Sequence, residues 1–323
     1  MIIVRAPYRV SFFGGGCDFP SWYKDHGGAV LTSTLDKYCY ISLRQMPAYL
    51  GTKYRVIWSE FEKCDKVEDI RHNGVRGCLQ YLKIDDGIEV NHAGDLPARS
   101  GLGSSSSFTV GMLHALHEMR NELTVPTMLA LEAIQVEQKV LKETVGIQDQ
   151  IAAAYGGFNL IEIDKDGSFL VRPLHLPADV IRDMESRFLL FFTGIQRFSS
   201  DIQDDQVGNA SRKRSELQAI QDLVPIAHRA LENGQLDKFG KLLHETWMLK
   251  RKLSPKVTSP ELDDIYARAM EAHAMGGKVL GAGGGGFFLF YTRDPEALRR
   301  ALPELLECPF SFGFNGSQIM VST

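Results

Sequence analysis

The sequence predicts an α+β fold in two domains. The chain has 323 residues, about twice the length of a typical domain, so two domains that share one cleft are expected. Strand-like and helix-like patterns occur in both halves without a regular alternation, which favours α+β domains over one doubly wound sheet. A shift toward proline and charge at 173–187 indicates the boundary, and we divide the chain into 1–180 and 181–323.

Strands are predicted where β-branched and aromatic residues are dense. Two such runs flank the turn signal Asp164-Lys165-Asp166-Gly167 and indicate a hairpin. The predicted strands are 2–13, 38–44, 54–60, 87–91, 160–163, 169–172, 188–192, 287–291 and 317–322.

Helices are predicted where apolar residues recur at helical spacing. The second of them begins after Thr124, with Pro126 in its first turn. The predicted helices are 104–120, 126–143, 199–233, 235–252 and 260–275.

Composition excludes several classes of protein. A net charge of -4 and a pI near 6.2 argue against a general nucleic-acid binder. The five cysteines are odd in number and contain no C-x-x-C pair, which favours reduced thiols over a zinc site or a disulfide framework. No apolar window is long enough for a membrane span, and the N-terminus lacks the apolar region of a signal peptide. We therefore expect a soluble, cytoplasmic protein.

Residues 97–107 carry the strongest signal for a binding site. A glycine-rich basic turn leads into serines and then into an apolar helix: Pro97-Ala98-Arg99-Ser100-Gly101-Leu102-Gly103, then Ser104 to Ser107. Glycines let the backbone approach an anion, and the free N–H groups of a helix start carry about +0.5 of dipole charge toward it. Hydroxyls there can also ligate a divalent metal that accompanies phosphates. The segment indicates a phosphate-binding helix start, with an ordinary serine N-cap as the alternative.

A second glycine cluster, 281–286, formally satisfies G-x-G-x-x-G. A dinucleotide motif must precede a helix, whereas residues 287–291 continue as a strand, so the Rossmann interpretation fails. No Gly-Lys-Ser/Thr follows any glycine run, which excludes a P-loop. The cluster is then a loop that a ligand or another loop can approach closely, or a tight turn between strands.

Three charged residues lie where a charge is unexpected. Arg9 interrupts an apolar strand, which indicates an exposed or paired charge or a cation directed into a cleft. Glu137 has apolar neighbours at three and four positions on its predicted helix, so it needs a salt bridge or a metal. Asp149 precedes a short helical run and is either an N-cap or a carboxylate base kept ionised by the helix start.

Taken together, these segments resemble the GHMP small-molecule kinases along nearly the whole chain. Three motifs of that family occur in order: Ala6-Pro7-Tyr8-Arg9 with Gly14-Gly15-Gly16, then Pro97 with Gly101-Leu102-Gly103-Ser104-Ser105, then 278–286. The resemblance implies a two-domain kinase architecture with the active site in the cleft between the domains. It also implies ATP and Mg²⁺ as cofactors.

The resemblance implies roles for individual residues. Asp149 would be the catalytic base, Arg9 would orient it, and Ser105 and Glu137 would hold Mg²⁺. The ATP phosphates would be bound by Arg99, Ser100, Gly101, Leu102, Gly103, Ser104, Ser105 and Ser106. The acceptor would be bound by Asp18, Gly14, Gly15, Gly16, Lys37, Arg197, Gly283 and Gly284.

Within the family, the sequence looks most like the D-glycero-D-manno-heptose 7-phosphate kinases, which phosphorylate the anomeric C1 hydroxyl for surface-glycan synthesis. Fucokinase-type domains share much of the pattern. Gly15-Gly16-Cys17-Asp18 departs from the Glu-His-Thr-Asp of galactokinases, which puts simple galactose in doubt. The partners implied are a sugar phosphate and ATP, without nucleic acid or membrane, and a homo-oligomer is left open.

A phosphorylated acceptor needs a second cationic site, for which the candidates are Lys37, Arg71, His72, Arg76 and Arg197. Two other classes of function remain as alternatives. One is a non-catalytic sugar sensor on the same fold, and the other is an NAD-dependent oxidoreductase that uses the second glycine cluster.

Overall fold

Two β-sheets form the framework of the protein, and helices pack on both. The computed structural model describes residues 1–98, 100–195 and 199–323, without the side chains of 199–201. The sheets have nine and four strands in the described part of the chain. The mixture of helices and sheets in both halves confirms the predicted α+β class.

The strands follow in chain order, and most lie where the sequence predicts them. They are β1 (Ile2–Phe13), β2 (Gly28–Gln45), β3 (Tyr54–Ile57), β4 (Phe61–Cys64), β5 (Ile88–Gly94), β6 (Phe158–Ile163), β7 (Phe169–Pro173), β8 (Phe188–Phe192), β9 (Ala274–Val279), β10 (Phe287–Thr292), β11 (Leu306–Glu307), β12 (Phe312–Gly313) and β13 (Gln318–Ser322).

The helices are α1 (Pro20–His26), α2 (Asn73–Leu82), α3 (Ser104–Met119), α4 (Pro126–Gln135), α5 (Gln148–Tyr155), α6 (Ala178–Arg187), α7 (Ser199–Asn209), α8 (Arg214–Glu232), α9 (Leu236–Lys250), α10 (Pro260–Glu271) and α11 (Pro295–Ala301). A π-helical turn, Val136–Val140, follows α4 directly. The predicted helix 126–143 is therefore shorter than expected, and the predicted helix 199–233 is split into α7 and α8.

The first sheet runs in the order β13-β1-β2-β5-β3-β4, and β6, β7 and β12 extend it from β2. Its pairs are antiparallel except for β3 with β5. The second sheet is antiparallel, in the order β11-β8-β10-β9. β2 is long, and its first half pairs with β6 whereas its second half pairs with β5. It therefore links these strands into one sheet.

The first half of β2 was not predicted, and it contains a run of three polar residues, Thr32 to Thr34. Thr32, Ser33 and Thr34 are nevertheless buried. The Thr32 hydroxyl donates a hydrogen bond to the carbonyl of Val10 at 2.7 Å, and the Thr34 hydroxyl accepts one from Gly157 N–H at 2.8 Å. Such partners let a polar strand lie in a core.

The end of the chain returns to the first sheet. β13 pairs with β1, with Ile2 opposite Ser322, and β12 pairs with β2. The division into 1–180 and 181–323 stays a prediction, and strand pairing adds that residues 312–323 extend the sheet of the first part.

Aromatic side chains join the two parts of the chain in one core. Phe12 and Phe13 of β1 pack edge-on against Phe239 of α9, with ring centroids 5.3 and 5.0 Å apart. Phe188 of β8 packs against Phe12 as well, at 5.8 Å. This contact fixes β1, which carries Arg9, against the elements of the second part.

Candidate active site

A cavity of about 870 Å³ lies between the two parts of the chain. Its walls come from β1, the loop before α3, the π-helical turn, the loop before α5, and the end of β9. Residues of both predicted domains therefore line it.

The loop 97–107 folds as its residue types predict. α3 begins at Ser104, and its N-cap is Gly103, with φ of 74°. Gly101 also has a left-handed φ, of 81°, which favours glycine. Gly101, Gly103, Ser104, Ser105 and Ser106 line the cavity. The first turn of α3 thus directs its free N–H groups toward the cavity.

Two predicted members of this phosphate loop lie away from the cavity. Ser100 and Leu102 are buried behind the loop and are not part of the cavity wall. The carbonyl of Leu102 instead accepts a hydrogen bond from the backbone N–H of Arg9 at 3.0 Å, which holds the loop on β1. Arg99 lies outside the described residues.

The glycine cluster 281–286 packs backbone to backbone against the phosphate loop. A Cβ on Gly101 would lie 2.5 Å from the carbonyl oxygen of Leu280, and one on Gly281 would lie 2.6 Å from the Cα of Gly101. A strand follows the cluster, as predicted, which is the wrong context for a dinucleotide motif. Gly283 lines the cavity, whereas Gly284 is buried and donates its N–H to the carbonyl of Val257.

Arg9 and Asp149 form a two-pronged ion pair at the centre of the cavity wall. The Arg9 Nε and Nη2 atoms lie 2.7 and 2.6 Å from the two carboxylate oxygens of Asp149. The third Arg9 nitrogen, Nη1, donates to the carbonyl of Gly101 at 2.8 Å. Arg9 is buried, while the Asp149 side chain keeps 25% of its surface exposed. The pair fixes the carboxylate and leaves it accessible to a ligand.

Asp149 is not a helix cap, which rules out the structural alternative considered for it. Ile147 is the N-cap of α5, and Asp149 lies within the first turn. Its Oδ2 lies 3.3 Å from the position that a Cβ on Gly103 would take. The carboxylate is therefore next to the start of α3, where an anion is expected to bind.

Glu137 is fully buried in the π-helical turn after α4. Its Oε2 accepts hydrogen bonds from Ser106 Oγ at 2.9 Å and from Gln150 Nε2. Its Oε1 is buried without a hydrogen-bond partner in the described part of the chain. Burial, followed by the nearby charge of Glu143, raises the pKa of Glu137 to about 8. Within the described residues no cation pairs with it, so the salt-bridge alternative fails.

Glu137 contacts a different serine from the one predicted. Ser106 donates to its carboxylate, whereas Ser105 is exposed on the cavity wall. A metal bound at the unpartnered oxygen of Glu137 would meet the helix start and its hydroxyls. Mg²⁺ typically takes one or two carboxylates together with substrate phosphates and water, and the residues present fit that ion.

Asp18 forms the floor of the cavity beside Asp149. Its carboxylate accepts hydrogen bonds from the N–H groups of Gly16 at 3.1 Å and Gln148 at 3.4 Å. Burial, followed by the charge of Asp149, raises its pKa to about 6. Gly146 faces it so closely that a Cβ there would lie 1.9 Å from Asp18 Oδ2.

The three glycines of the first family motif, Gly14-Gly15-Gly16, have two roles: one supports the sheet and two line the cavity. Gly14 has a φ of 82°, and a Cβ there would lie 1.9 Å from the carbonyl oxygen of Ala29. Gly14 thus packs against β2 and is not among the residues that line the cavity, which gives no support to the prediction that it contacts a ligand. Gly15 and Gly16 do line it.

The predicted cations for a second phosphate are scattered. Lys37 lies outside the cavity wall and pairs with Asp36 at 3.1 Å, so the structure gives no support to its predicted role. Arg76 is also outside, bound to Asn73 and the carbonyl of Ile70. The sequence could not show which side of a sheet or helix each charge occupies.

Two other candidates from that set reach the cavity. Arg71 lines it but pairs with Glu60 at 2.7 Å. His72 lines it too, and burial lowers its pKa below the ordinary value, so it is a weak cation. Arg197 lies outside the described residues.

An aromatic end of the cavity was not predicted. His72, His92 and Phe108 pack there at tilted or edge-on angles with ring centroids 4.5 to 5.6 Å apart, and Trp58 packs edge-on against His72 at 4.9 Å. Burial lowers the pKa of His92 to about 4. This end therefore offers flat, uncharged surfaces next to α3, suited to a planar base.

Lys250 and Lys278 also line the cavity and were not predicted. Both are buried and donate to backbone carbonyls. Lys278 occurs in the third family motif, but the backbone carbonyl to which it donates, that of Phe12, cannot be identified from a sequence motif.

The arrangement suits phosphoryl transfer. It combines a fixed carboxylate, a cation, a helix start and a buried carboxylate with one free oxygen. Such a reaction depends mainly on positioning and on neutralising charge.

Comparison with known proteins supports this interpretation. Residues 73–157 match the model "GHMP kinases N terminal domain", and residues 227–308 match "GHMP kinases C terminal". Together the matches cover about half of the chain and include the start of α3, Glu137 and Asp149. The chain is 29% identical over 310 residues to the D-glycero-alpha-D-manno-heptose 7-phosphate kinase of Campylobacter jejuni, covering 91% of this chain and 90% of that protein.

Two further comparisons give one relative by sequence and one by structure. A bifunctional fucokinase/GDP-fucose pyrophosphorylase of Arabidopsis thaliana is 27% identical over 94% of this chain, which spans 31% of that longer protein. The crystal structure of a D-glycero-D-manno-heptose 1-phosphate kinase from Bacteroides thetaiotaomicron superposes with a TM-score of 0.82 at 24% identity, covering 100% of both chains. The last comparison establishes the shared fold.

Proposed function

This chain belongs to the GHMP kinase family and is a sugar kinase, and from that premise we propose that it phosphorylates the C1 hydroxyl of D-glycero-D-manno-heptose 7-phosphate. The products are the heptose 1,7-bisphosphate and ADP. The observation that carries the proposal is the Arg9–Asp149 pair beside the start of α3, in a chain that is 29% identical to a heptose 7-phosphate kinase over 91% of its length.

Asp149 acts as the base in this proposal. It takes the proton of the C1 hydroxyl as that oxygen forms a bond to the γ-phosphorus of ATP, while the bond between that phosphorus and the ADP oxygen breaks. Arg9 holds the carboxylate by both oxygens, so one orientation is kept without the acceptor. Its positive charge also offsets negative charge on the group in transfer.

The phosphates of ATP would lie on Gly101, Gly103 and the first turn of α3. The adenine base of ATP would lie at the aromatic end of the cavity, against His72, His92 and Phe108. Glu137, with Ser105 or Ser106, would hold Mg²⁺, which when bound neutralises phosphate charge. The unpartnered buried oxygen of Glu137 supports this assignment.

Asp18 would accept hydrogen bonds from sugar hydroxyls, with Gly15 and Gly16 allowing close approach. A fucokinase-like acceptor is the second candidate, because the chain is 27% identical to a fucokinase over 94% of its length. The two acceptors differ in that only the heptose 7-phosphate carries a phosphate group.

The acceptor is tested by incubating the protein with ATP, Mg²⁺ and a panel of sugars and sugar phosphates and measuring ADP release. The proposal predicts the highest kcat/KM with D-glycero-D-manno-heptose 7-phosphate. A higher kcat/KM with fucose or with unphosphorylated heptose would contradict it.

The contact between Gly146 and Asp18 allows a test of the acceptor site. In Gly146→Ala the new Cβ would overlap the Asp18 carboxylate, 1.9 Å away, and displace it. Small displacements at a reacting site can be costly, so kcat/KM for the acceptor is expected to fall about 10- to 100-fold. The KM for ATP should change less than about twofold, because Asp18 lies away from the aromatic end.

Gly208→Ala is the matched control, since a Cβ there meets nothing within 4 Å. Steady-state kinetics with each substrate varied in turn separate the two effects. If Gly146→Ala raises the KM for ATP and leaves the acceptor unaffected, Asp18 does not face the sugar.

A further inference from the structure

Two buried lysines meet in the cavity wall where β9 ends. Lys278 is 3% exposed and Lys250 is 7% exposed. The Lys278 ammonium donates to the carbonyl of Phe12 at 3.0 Å, and the Lys250 ammonium donates to the carbonyls of Val279, at 3.0 Å, and Gly281. Both side chains line the cavity.

Strand geometry explains why they converge. Val279 packs in the core of the second sheet, so Lys278, its neighbour on β9, projects from the opposite face. α9 lies close against that face. A Cβ on Gly276 of β9 would lie only 2.0 Å from the carbonyl oxygen of Gly240 in α9. Lys250 at the end of α9 therefore reaches the same end of β9.

These two charges have no counterion among the described residues. Arg9 is balanced by Asp149, but no carboxylate pairs with Lys250 or Lys278 in the described part of the chain. Burial, followed by the charge of Arg9, lowers the pKa of Lys278 to about 7. Burial also lowers the pKa of Lys250, and the charges of Lys278 and Arg9 add to that effect. A bound anion would offset the cost of burying both ammonium groups.

Donor groups remain for such an anion. An ammonium has three N–H groups, and within the described residues Lys278 uses one of them and Lys250 uses two. Ser11 on β1 adds an independent observation. Its side chain is buried in the same cavity wall, and its hydroxyl has no hydrogen-bond partner among the described residues.

The other cations in the wall are less suited to hold an anion there. Arg71 pairs with Glu60, at the same end as His72, and Lys142 is exposed in the loop after the π-helical turn. Among the described residues of the wall, Lys250 and Lys278 are thus the buried cations that have no carboxylate partner.

We propose that Lys250, Lys278 and Ser11 form a second phosphate-binding subsite, separate from the start of α3. The phosphate group comes from one of two sources, the phosphate monoester of the acceptor or the phosphoryl group in transfer. This inference rests on the proposed function, because it concerns the same cavity. In addition to holding backbone carbonyls in place, the two lysines position this phosphate group through their charge.

The test replaces each lysine by glutamine, which keeps an N–H donor for the carbonyl and removes the charge. Lys278→Gln and Lys250→Gln are compared with Lys238→Gln, which changes an exposed lysine of α9. Circular dichroism checks folding, and Lys278→Arg and Lys250→Arg retain the charge if a glutamine variant does not fold.

Two measurements separate the sources of the phosphate. Calorimetric titration without ATP compares heptose 7-phosphate with unphosphorylated heptose, and steady-state kinetics give kcat with each. Loss of about 10- to 100-fold in affinity for the phosphorylated sugar alone, the range expected for charged hydrogen bonds, assigns the lysines to the acceptor's phosphate. An equal fall of kcat with both acceptors at unchanged affinity assigns them to the group in transfer.

Glutamine variants that fold and keep affinities and kcat within about twofold of the wild type, as Lys238→Gln should, would overturn the subsite. If the arginine variants lose as much activity as the glutamine variants, packing rather than charge is the cause, and the proposal also fails. The proposed function is judged separately, by which acceptor the wild type uses, so either conclusion can fail without the other.

Discussion

Asp149→Asn is expected to lower kcat about 10²- to 10⁴-fold, the range typical for loss of a positioned base. The asparagine keeps an oxygen for Arg9 but cannot take a proton from the acceptor hydroxyl. Because the side chain is partly exposed and, among the residues that the structure describes, pairs with Arg9 alone, the fold should persist. Affinities for ATP and the acceptor should stay within a few-fold, since neither depends on proton transfer.

The measurement is kcat from ADP release, with binding by calorimetric titration and folding by thermal unfolding. Asp25→Asn, at an exposed position of α1, is the matched control and should behave as the wild type. Near-normal turnover by Asp149→Asn would show that another group takes the proton.

Glu137→Gln is expected to have the second largest effect. The glutamine keeps the shape of the side chain and loses the charge that would bind Mg²⁺. The Mg²⁺ concentration for half-maximal activity should rise by at least about 10- to 100-fold, as weakened metal sites typically show. Titration of activity with Mg²⁺ at saturating ATP measures this, and Glu271→Gln, exposed at the end of α10, is the control.

Glu137→Gln is also expected to change how the free energy of unfolding depends on pH. The pKa of Glu137 is about 8 in the folded protein, above the value near 4.3 of an unfolded glutamate. The folded state therefore holds the proton more tightly, and the free energy of unfolding of the metal-free wild type falls as pH rises through about 8. Burial also raises the pKa of Glu143 nearby, and this residue is present in both the wild type and the variant.

Glu137→Gln lacks this loss, so without Mg²⁺ it should become more stable than the wild type as pH rises from 6 to 9. Urea unfolding at several pH values measures the difference. A difference that stays constant with pH, together with unchanged Mg²⁺ dependence, would show that Glu137 is not a metal ligand.

Local signals in the sequence predicted the conformation of the loop 97–107 well. The left-handed conformations of Gly101 and Gly103 and the helix start at Ser104 depend on neighbouring residues. The burial of Glu137 also followed from its apolar neighbours. The π-helical turn that carries it could not be predicted, because such a turn depends on packing around the end of α4.

Long-range partners were beyond the sequence. Arg9 and Asp149 are 140 residues apart, and only resemblance to a family indicated that they act together. Lys250 and Lys278 were missed because their partners are backbone carbonyls, which every residue has. Lys37 was included, although it does not line the cavity, because charge alone does not show which side of a sheet a residue occupies.

The most direct test of the central claim is the position of the new phosphate. The protein is incubated with ATP, Mg²⁺ and D-glycero-D-manno-heptose 7-phosphate, and the product is examined by ³¹P–¹H correlation NMR. We predict a second phosphorus resonance that correlates with the anomeric proton, while the original phosphate is unchanged. A new phosphate that correlates with any other sugar proton, or no transfer to this sugar, would contradict the account.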